Sequence, residues 1–334
     1  MESETVLGID ISQLNFYAAL LKTGKKTKVK VKVFENSWSG FEQLQQWLQE
    51  QEVTKVRVCL EATSIYGHPV ATYLHQQGHQ VSIVNPARIK GFAQSQLSRT
   101  KNDQADATTI ARFCLALKPQ PWTPPAPELA KLQAYTRRLA ALENMITQEK
   151  NRLKTTNSSL EEDIIEHIAF LQQQVKNLKK RQQEHIQAHQ NLEKQEQLLT
   201  SIVGIGEHTA RIILSEIASI NHFSSARQLA AFAGLTPQEH QSGTSVRGRT
   251  RLCKIGNPHL RKAFYFPALN AIRRCPQIQA FRERLLEAGK TKMQVVGAVM
   301  HKLIRVVYGV LKSGQPFDPD KLLPLKSNCP PDLA

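Results

Sequence analysis

The sequence predicts an α/β domain followed by a mainly helical remainder, and three observations carry this. Across the first 85 residues, short apolar runs alternate with segments of helical period. A Pro-rich stretch, Lys118–Glu128, then punctuates the chain. Beyond it lie two long helical stretches rich in Gln, Glu and Lys, and after them an apolar, Gly-punctuated, basic region.

The elements follow in order. TVLGIDIS, Thr5–Ser12, is a short apolar strand ending in an acid. NFYAALLK, Asn15–Lys22, and KVKVKVFE, Lys28–Glu35, form a hairpin around TGKK. Strict Lys–Val alternation suits a strand with one wet face, and outward lysines protect a sheet edge. In SGFEQLQQWLQEQ, Phe41, Leu44, Trp47 and Leu48 stand at helical spacing. KVRVCLEAT is a buried strand that again ends in an acid, Glu61, and a helix around Pro69–Gln77 leads to the strand QVSIVNP. Three strands, a helix, a strand, a helix and a strand is the order of a ribonuclease-H-like mixed sheet, although other α/β folds generate much of it.

Residues 86–118 read as helical, and the proline-rich stretch as an extended linker or domain boundary. Helices are expected over roughly 128–156 and 160–200. In the second, Ile164, Ile168, Leu171, Val175 and Leu178 step by four and three, as a coiled-coil seam does. Gln182, His185 and His189 then weaken the seam. The two histidines are four apart, as metal ligands on one helix would be, but a solvated face is the preferred reading. The segment is a helical hairpin or a dimerising arm. The expected domains are 1–125, 126–197 and 198–315, with a Pro-rich tail over 316–334.

Bulk properties narrow the class. A chain of 334 residues exceeds what one core serves. Its net charge of +16 attracts polyanions, nucleic acid before membrane. Residues 1–125 contribute +4, residues 126–200 +1 and residues 201–334 +11, so the C-terminal third is the electrostatic footprint. Five widely spaced cysteines without a C-x-x-C pair argue against a disulfide framework or a zinc site and fit a reducing cytoplasm. The acidic N-terminus resembles no signal peptide, and no run of about 18 apolar residues predicts a membrane span.

Asp10 and Glu61 close strands that lie side by side in such a sheet, so their carboxylates converge at one end. Asp103 and Asp106 in RTKNDQADATTIARF are three apart, on one helix face. Four acids in one place repel unless divalent cations neutralise them, and oxygen-only ligation points to Mg²⁺ or Mn²⁺. Two such ions activate a nucleophile and stabilise the leaving oxygen of a phosphodiester. The plainer alternative makes each acid a turn or cap residue, with Asp103 as the N-cap of the following helix.

LLTSIVGIGEHTARIILSEI, Leu198–Ile217, places two helical halves around Gly204-Ile205-Gly206, a helix-hairpin-helix pattern. Its glycines let backbone N–H groups reach a phosphate at the next helix N-terminus. A purely structural junction fits equally well. Thr209 stands where a dinucleotide fingerprint needs its third glycine. Downstream, QSGTSVRGRTRLCKIGNPHLRKAF is rich in cations and carries no acid. Arg247, Arg249, Arg251, Lys254, Arg261 and Lys262 suit a phosphate backbone. From residues alone, Ser242, Thr244 and Ser245 are ordinary loop hydroxyls.

Together these segments resemble the DEDD-type insertion-sequence transposases of the IS110 family, over essentially the whole chain. The motifs are GIDIS, CLEATSIYGHPVA, VNPARIKGFAQS, RTKNDQADATTIARF, SIVGIGEHTA, RQLAAFAGLTPQEHQSGTSVRG and YGVLKSGQPFD. The resemblance implies a RuvC-like, ribonuclease-H-fold domain, a coiled-coil segment and a C-terminal transposase domain. It makes Asp10, Glu61, Asp103 and Asp106 a metal-binding tetrad and Ser242 the nucleophile of cut-and-rejoin chemistry through a 5′-phosphoserine intermediate. It also implies a noncoding bridge RNA pairing with donor and target DNA. Homodimers would assemble to tetramers, with acids and serine from different subunits. Two other functions stay open: a RuvC-like endonuclease that uses water as nucleophile, and a non-catalytic nucleic-acid scaffold.

Overall fold

The computed structural model describes residues 4–24, 28–62, 66–97, 102–155, 158–238, 241–242, 246–247 and 251–322. The chain divides into two compact units, Met1–Pro124 and Pro125–Ala334.

The first unit is built on β1 (Thr5–Ile11), β2 (Asn15–Lys22), β3 (Lys28–Glu35), β4 (Arg57–Glu61) and β5 (Gln80–Val84). They form one mixed sheet in the order β3-β2-β1-β4-β5. β1 and β3 flank β2 antiparallel, whereas β4 runs parallel to β1 and to β5. The α/β expectation and the strand sequence hold. Helices α1 (Trp38–Glu50) and α2 (Gly67–Gln76) cover one face, where Leu7, Ile9, Phe16, Phe41, Leu44 and Leu48 are buried. Helices α3 (Pro86–Ser95) and α4 (Asp103–Leu117) serve the other, over Val6, Cys59 and Val84. The single helical stretch expected over 86–118 is therefore two helices.

The edge position of β3 agrees with its lysines, but its division into one wet and one dry face does not hold. Val31 packs into the α4-side core while Val29 and Val33 are exposed. Phe34, on the lysine face, is buried and stacks on Phe16. Lys32 lies over the Phe34 ring, so the lysine stems cover apolar surface while their charges stay wet.

In the second unit, α5 (Pro127–Leu153) and α6 (Glu161–Gln187) pack along their lengths. Leu171, Val175 and Leu178 of the expected seam meet Leu139 and Leu142 of α5, so the seam is satisfied within the chain. The reading of His185 as part of a solvated face is corrected. Gln182 and His185 are buried, because each finds a polar partner on α5: Gln182 Nε2 donates to Thr136 Oγ1, and His185 Nε2 lies 2.8 Å from the Glu128 carbonyl.

A break at Ala188–His189 leads into α7 (Gln190–Thr200), so the helix expected to run to 200 is also two. Then follow α8 (Glu207–Ile217) and α9 (Ala226–Phe232), four two-residue strands, β6 (Pro237–Gln238), β7 (Gln241–Ser242), β8 (Val246–Arg247) and β9 (Arg251–Leu252), and helices α10 (Pro258–Ala263), α11 (Tyr265–Arg274), α12 (Pro276–Glu287) and α13 (Lys292–Ser313). α13 starts with a Thr291–Gln294 capping box and ends on Gly314 in the left-handed region. By length and composition alone it is apolar enough to cross a membrane, although Lys302 and Arg305 interrupt its apolar run. Its apolar residues are spent on the core: Val299, Leu303, Ile304 and Val307 are buried among α7, α9, α11 and α12.

Candidate active site

The register of the sheet places the acids. Ile9 pairs with Leu60 in the parallel β1–β4 ladder, so Asp10 and Glu61 are the next residues along on neighbouring strands. Side chains alternate along a strand. Asp10 therefore shares the face of Val6 and Gly8, and Glu61 that of Cys59, which is the face α4 covers. The first turn of α4 carries Asp103 and Asp106.

α4 reaches this close because residue 8 is glycine. A Cβ there would overlap the Ala111 nitrogen and the Ala107 oxygen and stand 2.8 Å from the Ala111 Cα. The helix start is held by Asn102, whose Oδ1 accepts from the Ala105 N–H at 2.8 Å. The alternative of Asp103 as N-cap is thus corrected: Asn102 is the cap and Asp103 the first helical residue. That leaves both aspartates' carboxylates for other work, in a turn where the helix dipole favours them. Asn102 is the site residue that sequence reasoning missed. Its signal was an Asn directly before D-x-x-D.

Two of the carboxylates respond to this setting. Burial, then the charges of Asp106, Asp103 and Glu61, push Asp10 up to about 6. Burial and Asp106 also raise Glu61 above the usual carboxylate range. Asp103 is exposed and Asp106 and Glu61 are half-buried, so the cluster is open to solvent on one side. Among the described residues, no three His, Cys, Asp or Glu side chains stand close enough to ligate one ion as they are placed. The donor set itself, carboxylate oxygens with no nitrogen or sulfur, fits a hard divalent cation.

The other predicted residues lie in the second unit. Gly204, at φ +96, has a packing reason: its Cβ would stand 2.5 Å from the Pro267 carbonyl oxygen of α11. Gly206 begins α8, is exposed, and has open space where a Cβ would be. The segment after α9 forms a hairpin. β6 pairs with β9, and beyond it Gln241 and Ser242 pair with Arg247 and Val246. Only the backbone of Ser242 and Arg247 is described; Thr244, Ser245 and Arg249 lie outside the described residues. Arg251, Lys254 and Lys262 are exposed. Arg261 is half-buried and donates from Nη1 to the Lys254 carbonyl, closing the hairpin base. The seam histidines hold no metal-like cluster: the rings of His185 and His189 lie 4.5 Å apart, and His189 Nδ1 meets the His185 carbonyl.

A mixed five-stranded sheet with acids at the ends of adjacent parallel strands, faced by a D-x-x-D helix, has the α/β character of a ribonuclease-H-like DEDD domain. Comparison with known families makes the class specific. Residues 7–157 match the DEDD-type transposase family of IS110 elements, and residues 196–283 match the family described as Transposase IS116/IS110/IS902. The chain is 31% identical over 319 residues to the pilin gene-inverting protein of Moraxella bovis, covering 95% of this chain and 98% of that one. The pilin gene-inverting protein of Moraxella lacunata matches to the same extent. An IS110 insertion-element protein of Streptomyces coelicolor is 31% identical over 117 residues, 35% of this chain and 29% of that one. The chain belongs to the IS110 family of transposases.

Proposed function

We propose that this transposase cuts and rejoins DNA strands with Ser242 as nucleophile and Asp10, Glu61, Asp103 and Asp106 as the cradle for two divalent ions, Mg²⁺ or Mn²⁺. The observation that supports this reading is the placing of Asp10 and Glu61 at neighbouring strand ends, where burial first and then the charges of Asp106, Asp103 and Glu61 raise Asp10 to about 6. Such a site is costly without a cation and useful with one. When bound there, the ions supply Lewis-acid charge to a phosphodiester.

The residues of this chain then do the following. The Ser242 hydroxyl loses its proton and its Oγ attacks phosphorus. The Oγ–P bond forms as the P–O3′ bond breaks, the 3′ oxygen takes up a proton, and the 5′ phosphate stays on serine. A second 3′-hydroxyl reverses the step, so phosphodiester energy is conserved and no nucleotide is consumed. Arg247, Arg249, Arg251, Lys254 and Lys262 bind the flanking phosphates. Arg261 shapes the hairpin base, and the open N-terminus of α8 at Gly206 adds a backbone contact. The first unit is the RuvC-like domain, α5–α7 the helical arm, and the remainder the transposase domain. A bridge RNA selects donor and target DNA, and homodimers assembling to tetramers do the work, in the cytoplasm. These last features rest on the family resemblance.

The full-length relatives named for pilin gene inversion support a second reading of the same chemistry, inversion of a DNA segment in place of its transposition. The test is to incubate the protein with Mg²⁺, its co-purifying RNA and a plasmid carrying its gene with flanking DNA. A protein–DNA adduct surviving denaturation, lost in Ser242→Ala, is the expected result. Free cleaved ends undiminished by that change would sink it in favour of hydrolysis. Full activity in Asp10→Ala or Asp106→Ala would leave only the scaffold. Sequencing the junctions separates inversion from transposition.

A further inference from the structure

The second unit buries a carboxylate that this chemistry does not use. Glu216 lies in the last turn of α8 with its side chain 3% exposed. That is an unfavourable place for an anion, at the negative end of the helix dipole and away from water. Two partners hold it. Asn257 Nδ2 donates to Oε2 at 2.7 Å. Arg137 of α5 brings its Nε to 3.6 Å from Oε1, an ion pair longer than a hydrogen bond.

Asn257 stands where the serine hairpin returns to the helical core. Its N–H donates to the Phe232 carbonyl at 2.7 Å, and its Oδ1 caps α10 by accepting from the Leu260 N–H at 3.0 Å. The hairpin base is otherwise a backbone closure. The Cys253 N–H meets the Thr236 carbonyl, and the Lys254 N–H meets that of Gly234. Gly234 and Gly256 both have positive φ, and a Cβ on Gly256 would stand 2.5 Å from the Gly234 nitrogen and overlap the Phe232 oxygen. The two ends of the hairpin thus touch without slack, and among the described residues Glu216 is the one buried charge fastened to that junction.

We propose that Glu216 is a positioning residue for Ser242. Through Asn257 it sets the base of the hairpin that carries the serine, and through Arg137 it ties that base to the helical arm. The proposal rests on the reading of Ser242 as nucleophile. A small rotation at the base is magnified along the hairpin, and misplacing a reacting atom by about 1 Å costs on the order of a hundredfold in rate.

An exchange of the two side chains tests this. Asn257→Asp removes the donor and sets two carboxylates face to face. Adding Glu216→Gln puts the amide and the carboxylate in each other's places. Donor again faces acceptor, the net charge of the pair is kept although Arg137 now faces an amide oxygen, and the aspartate still caps α10. Single-turnover adduct formation is measured on the plasmid substrate with DNA saturating, beside DNA affinity and melting temperature. N257D is expected to slow adduct formation about tenfold or more with DNA affinity held, and the double variant to recover to within about threefold of wild type. Wild-type rates in N257D, or a double variant as slow as the single at equal melting temperature, overturn the proposal. Should N257D not fold, Arg137→Gln serves, since Arg137 is partly exposed. A slower adduct rate at unchanged DNA affinity supports the role and an unchanged rate overturns it. A wild-type protein that forms no Ser242-dependent adduct would refute the nucleophile itself, a distinct outcome.

Discussion

Gly8 of β1 and Ala111 of α4 touch backbone to backbone: a Cβ on Gly8 would overlap the Ala111 nitrogen. This contact sets how far the helix bearing Asp103 and Asp106 stands from the strand bearing Asp10. Gly8→Ala must push α4 outward, because all three obstructing atoms belong to the backbone. Overpacking of this kind costs about 1–3 kcal/mol. A drop in melting temperature is expected, with a larger loss of DNA cleavage than the loss of folded protein explains. An unchanged cleavage rate would mean that the acids do not need this spacing.

The raised proton affinity of Asp10 gives the metal-free protein a pH dependence. Its group titrates near 6 when folded against 3.8 as a free side chain. Deprotonation therefore favours the unfolded chain, so stability falls as pH rises from about 4 to about 6 and the penalty is complete above that. A shift of this size on a half-exposed carboxylate, discounted for solvent screening, is worth about 1 kcal/mol. In EDTA at pH 7.5, Asp10→Asn is expected to melt above wild type, and at pH 4 the two should coincide. Mg²⁺ should reverse the order, since an ion bound only to the folded wild type stabilises it by about 2.7 kcal/mol at a hundred times Kd. Thermal melts in EDTA and in Mg²⁺ check both halves.

Arg211 of α8 is buried against Glu196 of α7, Nε to Oε1 at 2.6 Å, and also bonds Glu207 and Gln183. Arg211→Met leaves the Glu196 charge buried without its partner, at a cost of about 3–5 kcal/mol. Glu196→Gln should cost less, because Arg211 retains Glu207. Urea titrations of the two variants order them, and equal midpoints would show that the pair contributes nothing beyond packing.

Nucleic-acid affinity should fall steeply with ionic strength, with the +11 region after residue 200 responsible. Replacing Arg251 or Lys254 by Ala should each reduce the slope of log affinity against log salt by about 1. Affinity measured from low to moderate salt on a nonspecific duplex tests this. A slope unmoved by either change would take those two cations off the phosphate backbone.

Local pattern made much of this legible. Period-two and period-3.6 runs marked all five main strands and the helices α1 and α2, because each depends only on near neighbours. Strand-end acids and the D-x-x-D spacing marked Asp10, Glu61, Asp103 and Asp106 for the same reason. Helix ends were harder. The breaks after Ser95 and at Ala188–His189 carry no Gly or Pro at the break itself, so continuous helices were expected there. No local signal distinguishes Ser242 from Ser245, and only the family motif singled it out.

By itself, the sequence determined the order of elements in the first unit, the α/β class and the family, all written in local spacing and in long motifs. Tertiary structure alone decided which polar groups are buried. His185 depends on Glu128, 57 residues away, and Glu216 on Asn257, 41 residues away. Nothing near either residue announces its partner. A polar side chain becomes buried only when the chain returns to satisfy it, and so the serine hairpin's anchor at Glu216 emerged only with the fold.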